Sequence, residues 1–379
     1  MHPLNILIAP DSFKGTLAAL PVAQAIANGL QQVLPQAQIQ LLPMADGGEG
    51  TLDAVLYATP GERRQAQVCD LLGESRSVEY AVLESSSTSI AVLEAAQVVG
   101  LQSIGNSAVA SRSSQGFGDL LRHCLDLNLR NFLIGLGGTG TNDGGVGLLA
   151  ALGVRFYAAS GDLIAPTLEG LSALQRIEWS DLDPRLAQCS ITLLTDVDNP
   201  LCGAQGATAI FGPQKGVREY DLARFDTDLS RYAQMADAWA GTALSQQAGA
   251  GAAGGLAYAL LLCGAQRRAG AEMIGTLLHL DANIAKADWV ITGEGRSDAQ
   301  TLRGKLPWVV AQHARAARVP VILLSGAIEV SSRAVLAANF TACYALVSEE
   351  VSQAQAKQNT ARYLTERAQQ IAQIMFPNT

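Results

Sequence analysis

The chain has 379 residues, 49% hydrophobic and 16% charged, with 37 glycines, 5% aromatic residues and a net charge of −8. This length predicts two domains or one elaborated domain, and the apolar fraction supports a large core and excludes wholesale disorder. The acidic balance excludes a general binder of nucleic acid or anionic membranes, while a small anion held by a few local cations stays compatible with it.

Residues 5–9 are an apolar, partly β-branched run that predicts a buried strand. Pro10 ends it, having no N–H to give to a ladder. Asp11, Ser12, Lys14, Gly15 and Thr16 crowd into the loop that follows. Apolar residues then return at helical spacing (Leu20, Ala23, Ile26, Ala27, Leu30), with Pro21 suited to the first turn. In open α/β sheets ligands sit outside the carboxyl ends of the strands, so a carboxylate, a hydroxyl and an ammonium there suit a charged ligand. The pattern recurs at once: a strand at 38–42, Pro43, the loop Met44-Ala45-Asp46-Gly47-Gly48-Glu49-Gly50, and a helix at 52–57 that Thr51 is placed to cap.

From residue 66 the texture changes. Strands are predicted at 65–71, 77–83 and 88–93, with turns at Gly73-Glu74 and Ser85-Ser86-Ser87. Neighbouring strands without helices between them indicate an antiparallel or mixed piece, hence another domain. A polar loop at 111–117 leads into a helix at 118–127. A strand at 131–134 runs into a glycine-rich loop at 135–145, followed by a helix to residue 152. Further strands are expected at 154–158 and 191–194, turn-rich loops at 195–203 and 211–216, an amphipathic helix at 220–240, a glycine-rich stretch at 249–255 and an apolar one at 256–262.

The alternating texture returns with a strand at 288–292, the loop Gly293-Glu294-Gly295-Arg296-Ser297-Asp298 and a helix at 307–317. Strands at 319–324 and 343–347 and a closing helix at 353–375 complete the chain. The two ends share a strand–loop–helix grammar that the middle lacks. The expected fold is therefore α/β with two domains. A doubly wound (Rossmann/flavodoxin-like) parallel-sheet domain, 1–65 with 285–379, is interrupted by an inserted mixed α/β domain, 66–284.

The six cysteines are scattered without a Cys-x-x-Cys pair, and His2, His123, His279 and His313 are dispersed, so neither zinc nor a disulfide framework is supported. With no basic leader and no apolar run of membrane-spanning length, a reduced cytoplasmic protein is expected. Gly135-Leu136-Gly137-Gly138-Thr139-Gly140 satisfies G-x-G-x-x-G, and Asp162 lies about twenty residues on, as a dinucleotide fingerprint asks. Asp162 sits in Ser160-Gly161-Asp162, however, which reads as a hairpin turn. A glycine loop and helix start receiving a phosphate or carboxylate is the broader reading, and a turn needed only for packing the plainer one. No G-x-x-x-x-G-K-[ST] occurs: Gly304-Lys305 is followed by Leu306, and Lys14 precedes its glycine. No Ser/His/Asp signature is present. Asp11, Asp46, Asp143, Asp196 and Asp298 each lie in a glycine- or proline-marked loop. One loop aspartate is usually a turn former. Five after apolar runs suit carboxylates that hold Mg²⁺ or serve as general base. Lys14 and Arg296 are the cations of these loops, with Lys215 a third.

Ala9-Pro10-Asp11-Ser12-Phe13-Lys14-Gly15 and the segments 43–50, 137–145, 196–203, 211–216, 249–255 and 291–295 with Asp298 closely resemble, in this order, the class I glycerate kinases. The resemblance covers essentially the whole chain. It implies ATP- and Mg²⁺-dependent phosphorylation of D-glycerate in the bacterial cytosol, with 2-phosphoglycerate favoured over 3-phosphoglycerate as product. It also implies two α/β domains, one interrupted by the other, with the active site in the cleft between them. Small-molecule substrates are expected and neither nucleic acid nor membrane, with homo-oligomerisation left open. On this reading Lys14 offsets phosphate charge. Gly137, Gly138, Thr139, Thr141 and Asn142 present donors to an anion, and Asp11 and Ser12 join the substrate-binding set. Asp46 and Asp298 hold Mg²⁺, Asp196 is the general base with Asp143 second, and Arg296 pairs with the glycerate carboxylate. The alternatives are a dinucleotide-dependent oxidoreductase built on 135–140 and a non-catalytic two-domain protein that binds small anions.

Overall fold

A computed structural model describes residues 3–84 and 88–377; the turn read at Ser85-Ser86-Ser87 lies outside the described residues. The chain divides into two compact units, one of Met1–Asp46, Asp53–Thr59 and Ala269–Thr379, the other of Gly47–Leu52 and Pro60–Arg268.

In chain order the first unit opens with β1 (Asn5–Ile8), α1 (Ala19–Val33) and β2 (Gln38–Leu41), and α2 (Thr51–Ala58) follows. The second unit holds β3 (Gly61–Cys69), β4 (Ser75–Glu84), β5 (Ser89–Glu94), α3 (Gln115–Asp126), β6 (Asn131–Gly135) and α4 (Val146–Ala151). It continues with β7 (Ser190–Leu194), α5 (Ala207–Phe211), α6 (Leu222–Ala240), α7 (Leu256–Leu262) and β8 (Gln266–Arg268). The first unit resumes with α8 (Gly270–Leu277), α9 (Leu280–Ile284), β9 (Trp289–Thr292), α10 (Leu306–Ala316), β10 (Val321–Ser325), β11 (Ala342–Ala345), α11 (Gln353–Gln358) and α12 (Thr360–Met375).

Most boundaries follow the sequence, and the departures have local causes. Helix α3 starts at Gln115, before the expected residue 118, because Gly116 and Gly118 are packing positions inside it. A Cβ on Gly116 would strike the Cys69 carbonyl, and one on Gly118 the Ala151 side chain. The closing helix is two helices. Asn359 (φ −129°, ψ 41°) breaks it, and a capping box between Ser352 and Gln355 starts the first piece. Helices α5, α8 and α9 and strand β8 were not expected; α5, α9 and β8 are too short to show a period, and α8 spans little more than two turns.

The first unit's sheet runs β11-β10-β9-β1-β2 and is parallel throughout, with Ile8 opposite both Ile291 and Leu41. Numbered within this unit the order is 2-1-3-4-5, the flavodoxin-like doubly wound order. Ile6 and Ile8 are buried in one core with Ile291, Ile322 and Leu324 beneath α1 and α12. Each such side chain contributes roughly 1.5–3 kcal/mol of transfer free energy. Helices α1 and α12 approach so closely that a Cβ on Gly29 would meet the Thr365 carbonyl. Leu7, between Ile6 and Ile8, points to the other face and is equally buried, as a parallel strand covered on both sides requires.

The second unit's sheet runs β8-β7-β6-β5-β4-β3. Strands β8 to β5 pair in parallel, and β5 with β4 and β4 with β3 antiparallel. It has its own core, which includes Phe117 and Leu121 of α3, Leu148 of α4, Tyr232 of α6 and Leu260 of α7. This sheet is the mixed one that the middle texture indicated.

Candidate active site

The order of the first sheet reverses between β1 and β9, and the loops after their carboxyl ends meet there. The backbone ladder continues past β1: Ala9 N donates to Ile291 O (2.8 Å), Asp11 N to Gly293 O (2.9 Å) and Met44 N to Pro10 O (2.9 Å). The loops are pressed together, since a Cβ on Gly293 would strike the Leu324 carbonyl and one on Gly326 that of Gly295. They enclose a cavity of about 420 Å³. Its charged lining comes from the loops after β1 (Asp11, Lys14), β2 (Asp46) and β9 (Glu294, Arg296), with Lys305 before α10 and Lys357 on α11.

Lys14 Nζ donates to Asp46 Oδ2 at 2.6 Å; the lysine side chain is 59% exposed. Partial burial pulls the Lys14 pKa down, but the carboxylates of Asp46, Asp11 and Glu294 outweigh it and hold the pKa above the usual lysine range. Asp11 is buried, and its Oδ1 accepts from Ser12 N (2.7 Å). Burial, then the charge of Asp46, raises the Asp11 pKa well above the ordinary carboxylate range, with Lys14 pulling the other way. Glu294 is also buried and also raised by burial, with Lys305 opposing. Its Oε1 accepts from Ser297 Oγ (2.9 Å) and Thr301 Oγ1 (2.7 Å). Lys305 Nζ stands 3.8 Å from Glu294 Oε2 and 3.6 Å from Asp298 Oδ1. Asp298 Oδ1 also accepts from Gln300 N (2.8 Å). The exposed Arg296 guanidinium lies 3.7 Å from Glu329. A cavity lined by both carboxylates and cations suits a polyanion accompanied by a divalent cation.

A separate group forms in the second unit, in the loop between β6 and α4. Asp143 is fully buried there. Its Oδ2 accepts from Ser114 N (2.7 Å), Ser114 Oγ (2.8 Å) and Gly147 N (3.3 Å), and its Oδ1 from Gly145 N (3.1 Å). Burial raises its pKa and these bonds lower it. They make Asp143 the anchor of the loop. Asn142 Nδ2 donates to Thr208 Oγ1 (2.9 Å). Thr139, Thr141 and Asn142 are buried, and Gly137 and Gly138 exposed. Asp196 is exposed, just beyond β7.

The dinucleotide geometry is not reproduced. The third glycine of the motif, Gly140, donates its N–H to Val99 O (2.7 Å), and the helix opens only at Val146. Asp162 accepts from Ser160 Oγ (2.8 Å) in a tight turn, as its sequence context indicated. The motif glycines serve close packing: a Cβ on Gly137 would meet Gly48, and one on Gly140 Ile104.

The first unit thus gathers Asp11, Ser12, Lys14, Asp46 and Arg296, with Asp298 beside Lys305. The second gathers Thr139, Thr141, Asn142 and Asp143. Sequence reasoning missed Glu294, Lys305 and Lys357. Glu294 had a signal, a carboxylate between two glycines at a strand end. Lys305 was considered only as part of a phosphate loop that it does not complete. Lys357 lies on an exposed helical face and had none.

The family model described as "Glycerate kinase family" matches residues 6–376. The chain is similar to the glycerate kinase of Bacillus subtilis (strain 168), 38% identical over 370 residues and 97% of each chain. It is similar also to the glycerate 2-kinase of Escherichia coli (strain K12), 40% identical over 326 residues and 86% of each chain. Among solved structures, a crystal structure assigned as glycerate kinase 2 from Salmonella typhimurium LT2 matches with a TM-score of 0.83 at 39% identity, over 99% of this chain and 98% of that one.

Proposed function

The chain belongs to the glycerate kinase family, and we propose that it transfers the γ-phosphoryl group of ATP to the 2-hydroxyl of D-glycerate, giving 2-phosphoglycerate and ADP. The new bond joins the glycerate oxygen to the γ-phosphorus, and the bond from that phosphorus to the β–γ bridging oxygen breaks in line with it. The hydroxyl proton leaves to a carboxylate. The observation that carries this reading is the charged cavity at the switch point of the first sheet, with Lys14 and Asp46 in contact at 2.6 Å. The Escherichia coli relative, a glycerate 2-kinase, supports the 2-position.

Phosphoryl transfer needs charge neutralisation and alignment more than covalent chemistry. Lys14, kept charged by three carboxylates, meets the phosphates. Lys305, on its Glu294 and Asp298 supports, adds a second cation. Asp46 and Asp298 are the carboxylates that would hold Mg²⁺, and the ion would supply neutralisation of phosphate charge there. Among the described residues no group of three or more His, Cys, Asp or Glu is placed to hold a metal. The donor set still fits Mg²⁺, which takes one or two carboxylates together with substrate phosphates. Asp196 is our choice of general base, because Asp143 already accepts four hydrogen bonds. Arg296 is assigned to the glycerate carboxylate, exchanging its long contact with Glu329 for a bidentate pair.

The chain is read as cytoplasmic: Cys69, Cys124, Cys189, Cys202, Cys263 and Cys343 are all free. No helix among the described residues is long and apolar enough to cross a membrane. The product is tested by ³¹P NMR of the reaction with Mg-ATP and D-glycerate. A phosphate on carbon 2 is expected; one on carbon 3 overturns the assignment of the hydroxyl.

A further inference from the structure

The second unit buries two cations with no carboxylate partner. Lys215, 2% exposed, donates from Nζ to Thr141 O (2.7 Å) and Thr139 Oγ1 (3.4 Å). Arg112, also 2% exposed, donates to Gly140 O (3.0 Å), Lys215 O (2.8 Å) and Ser107. Every acceptor is a carbonyl or a hydroxyl, and neither residue has an ion pair among the described residues. Asp143, whose charge acts on Lys215, already accepts four hydrogen bonds, from Ser114, Gly145 and Gly147. Next to Lys215 the buried Thr141 Oγ1 and Asn142 Oδ1 have no hydrogen-bond partner among the described residues. A buried charge without a partner and a buried polar atom without a bond each cost free energy that a native fold normally avoids. Two acceptors for three Nζ protons leave one over among the described residues, and Gly138, the residue before Thr139, is exposed.

We propose that Lys215, with the Thr139 and Thr141 hydroxyls, forms a subsite that receives an oxyanion, either a carboxylate or a phosphate group. Naming the anion as glycerate or the nucleotide rests on the kinase reading above; the subsite itself does not. Arg112 holds the two carbonyls that shape it and acts as a positioning residue. The free ammonium is poised to respond to pH: burial lowers the Lys215 pKa to about 7, with Asp143 raising it and Arg112 lowering it. A bound anion favours the protonated form, so binding takes up a proton.

The full chain is titrated calorimetrically with D-glycerate, Mg-ATP and sulfate at pH 6.5 and 8.5, as wild type, Lys215→Met and Lys215→Arg. For at least one probe, wild-type affinity falls more than tenfold between the two pH values. Lys215→Met loses at least tenfold at pH 6.5 and, like Lys215→Arg, lacks the part of the wild-type pH dependence that Lys215 supplies, which the difference from wild type reads free of groups such as Asp11. A response to D-glycerate alone assigns a carboxylate, and one to Mg-ATP and sulfate assigns a phosphate. Wild-type affinities flat with pH for all three probes overturn the proposal even if the variants fail to fold. So does a Lys215→Met protein that binds all three like wild type. Wild-type turnover with D-glycerate alongside such a result rejects the subsite alone. Lys215-dependent sulfate binding without turnover keeps the subsite and rejects the kinase reading.

Discussion

Lys14 and Lys215 are two lysines put to opposite use by their surroundings. Lys14 is more than half exposed and faces carboxylates, so its charge is secure and its ion pair adds little to folding, about 0–1 kcal/mol for an exposed pair. Lys14→Met is therefore expected to shift the unfolding free energy by no more than about 1 kcal/mol while lowering kcat/KM by at least about 100-fold. Chemical denaturation and ADP release check the two halves, and a folded variant with near-normal kcat/KM removes Lys14 from the mechanism. Lys215 is buried with no ion-pair partner among the described residues, and its folded pKa of about 7 lies below the 10.5 of the unfolded chain. Between those values the unfolded state binds more protons, so the lysine's contribution to stability rises with pH, by up to about 1.4 kcal/mol per unit. The ligand-free wild type is expected to gain on Lys215→Met by that slope from pH 7 to 9; taking the difference removes groups such as Asp11. A constant difference would contradict it. Lys14 was legible because it sits in a short loop after an apolar strand. The partners of Lys215 come from segments far apart in sequence, and no spacing within Gly212-Pro213-Gln214-Lys215-Gly216 reveals them.

At the scale of elements, the loop from β6 to α4 is held by neighbours that tolerate no side chain. Gly254 has φ +68°, and a Cβ there would strike the Thr141 carbonyl, the acceptor of Lys215. Gly161 has φ +88° with nothing within 4 Å. Gly161→Ala is thus expected to cost only backbone strain, about 1 kcal/mol, and Gly254→Ala strain plus a clash, about 2–4 kcal/mol. Equal losses in denaturant midpoints would show that the Gly254 approach is not tight. Strands β1, β9 and β10 of the first unit were legible because each is an apolar run that ends at a proline or glycine loop. Gly116 read as loop, since glycine in sequence does not distinguish a turn from a helix that packs closely. The break at Asn359 was hidden by continuous helical composition on either side.

At the scale of the molecule, each unit carries its own sheet and core. The second is continuous in sequence but for one short crossing, so a fragment of residues 47–268 is expected to fold alone and melt cooperatively. A fragment without near-ultraviolet dichroism would show that its core depends on the rest of the chain. The doubly wound order of the first sheet followed from the strand–loop–helix grammar at both chain ends. The parallel half of the second sheet did not show, because long irregular connections separate β6, β7 and β8 and leave no repeating period. On the proposed function, the first sheet's charged switch-point cavity serves phosphoryl transfer onto glycerate. The direct measurement is ADP release by the purified chain with Mg-ATP and D-glycerate, against L-glycerate and no-acid controls. Turnover with D-glycerate and none in the controls is the predicted result. No ADP from the folded protein with D-glycerate would contradict it.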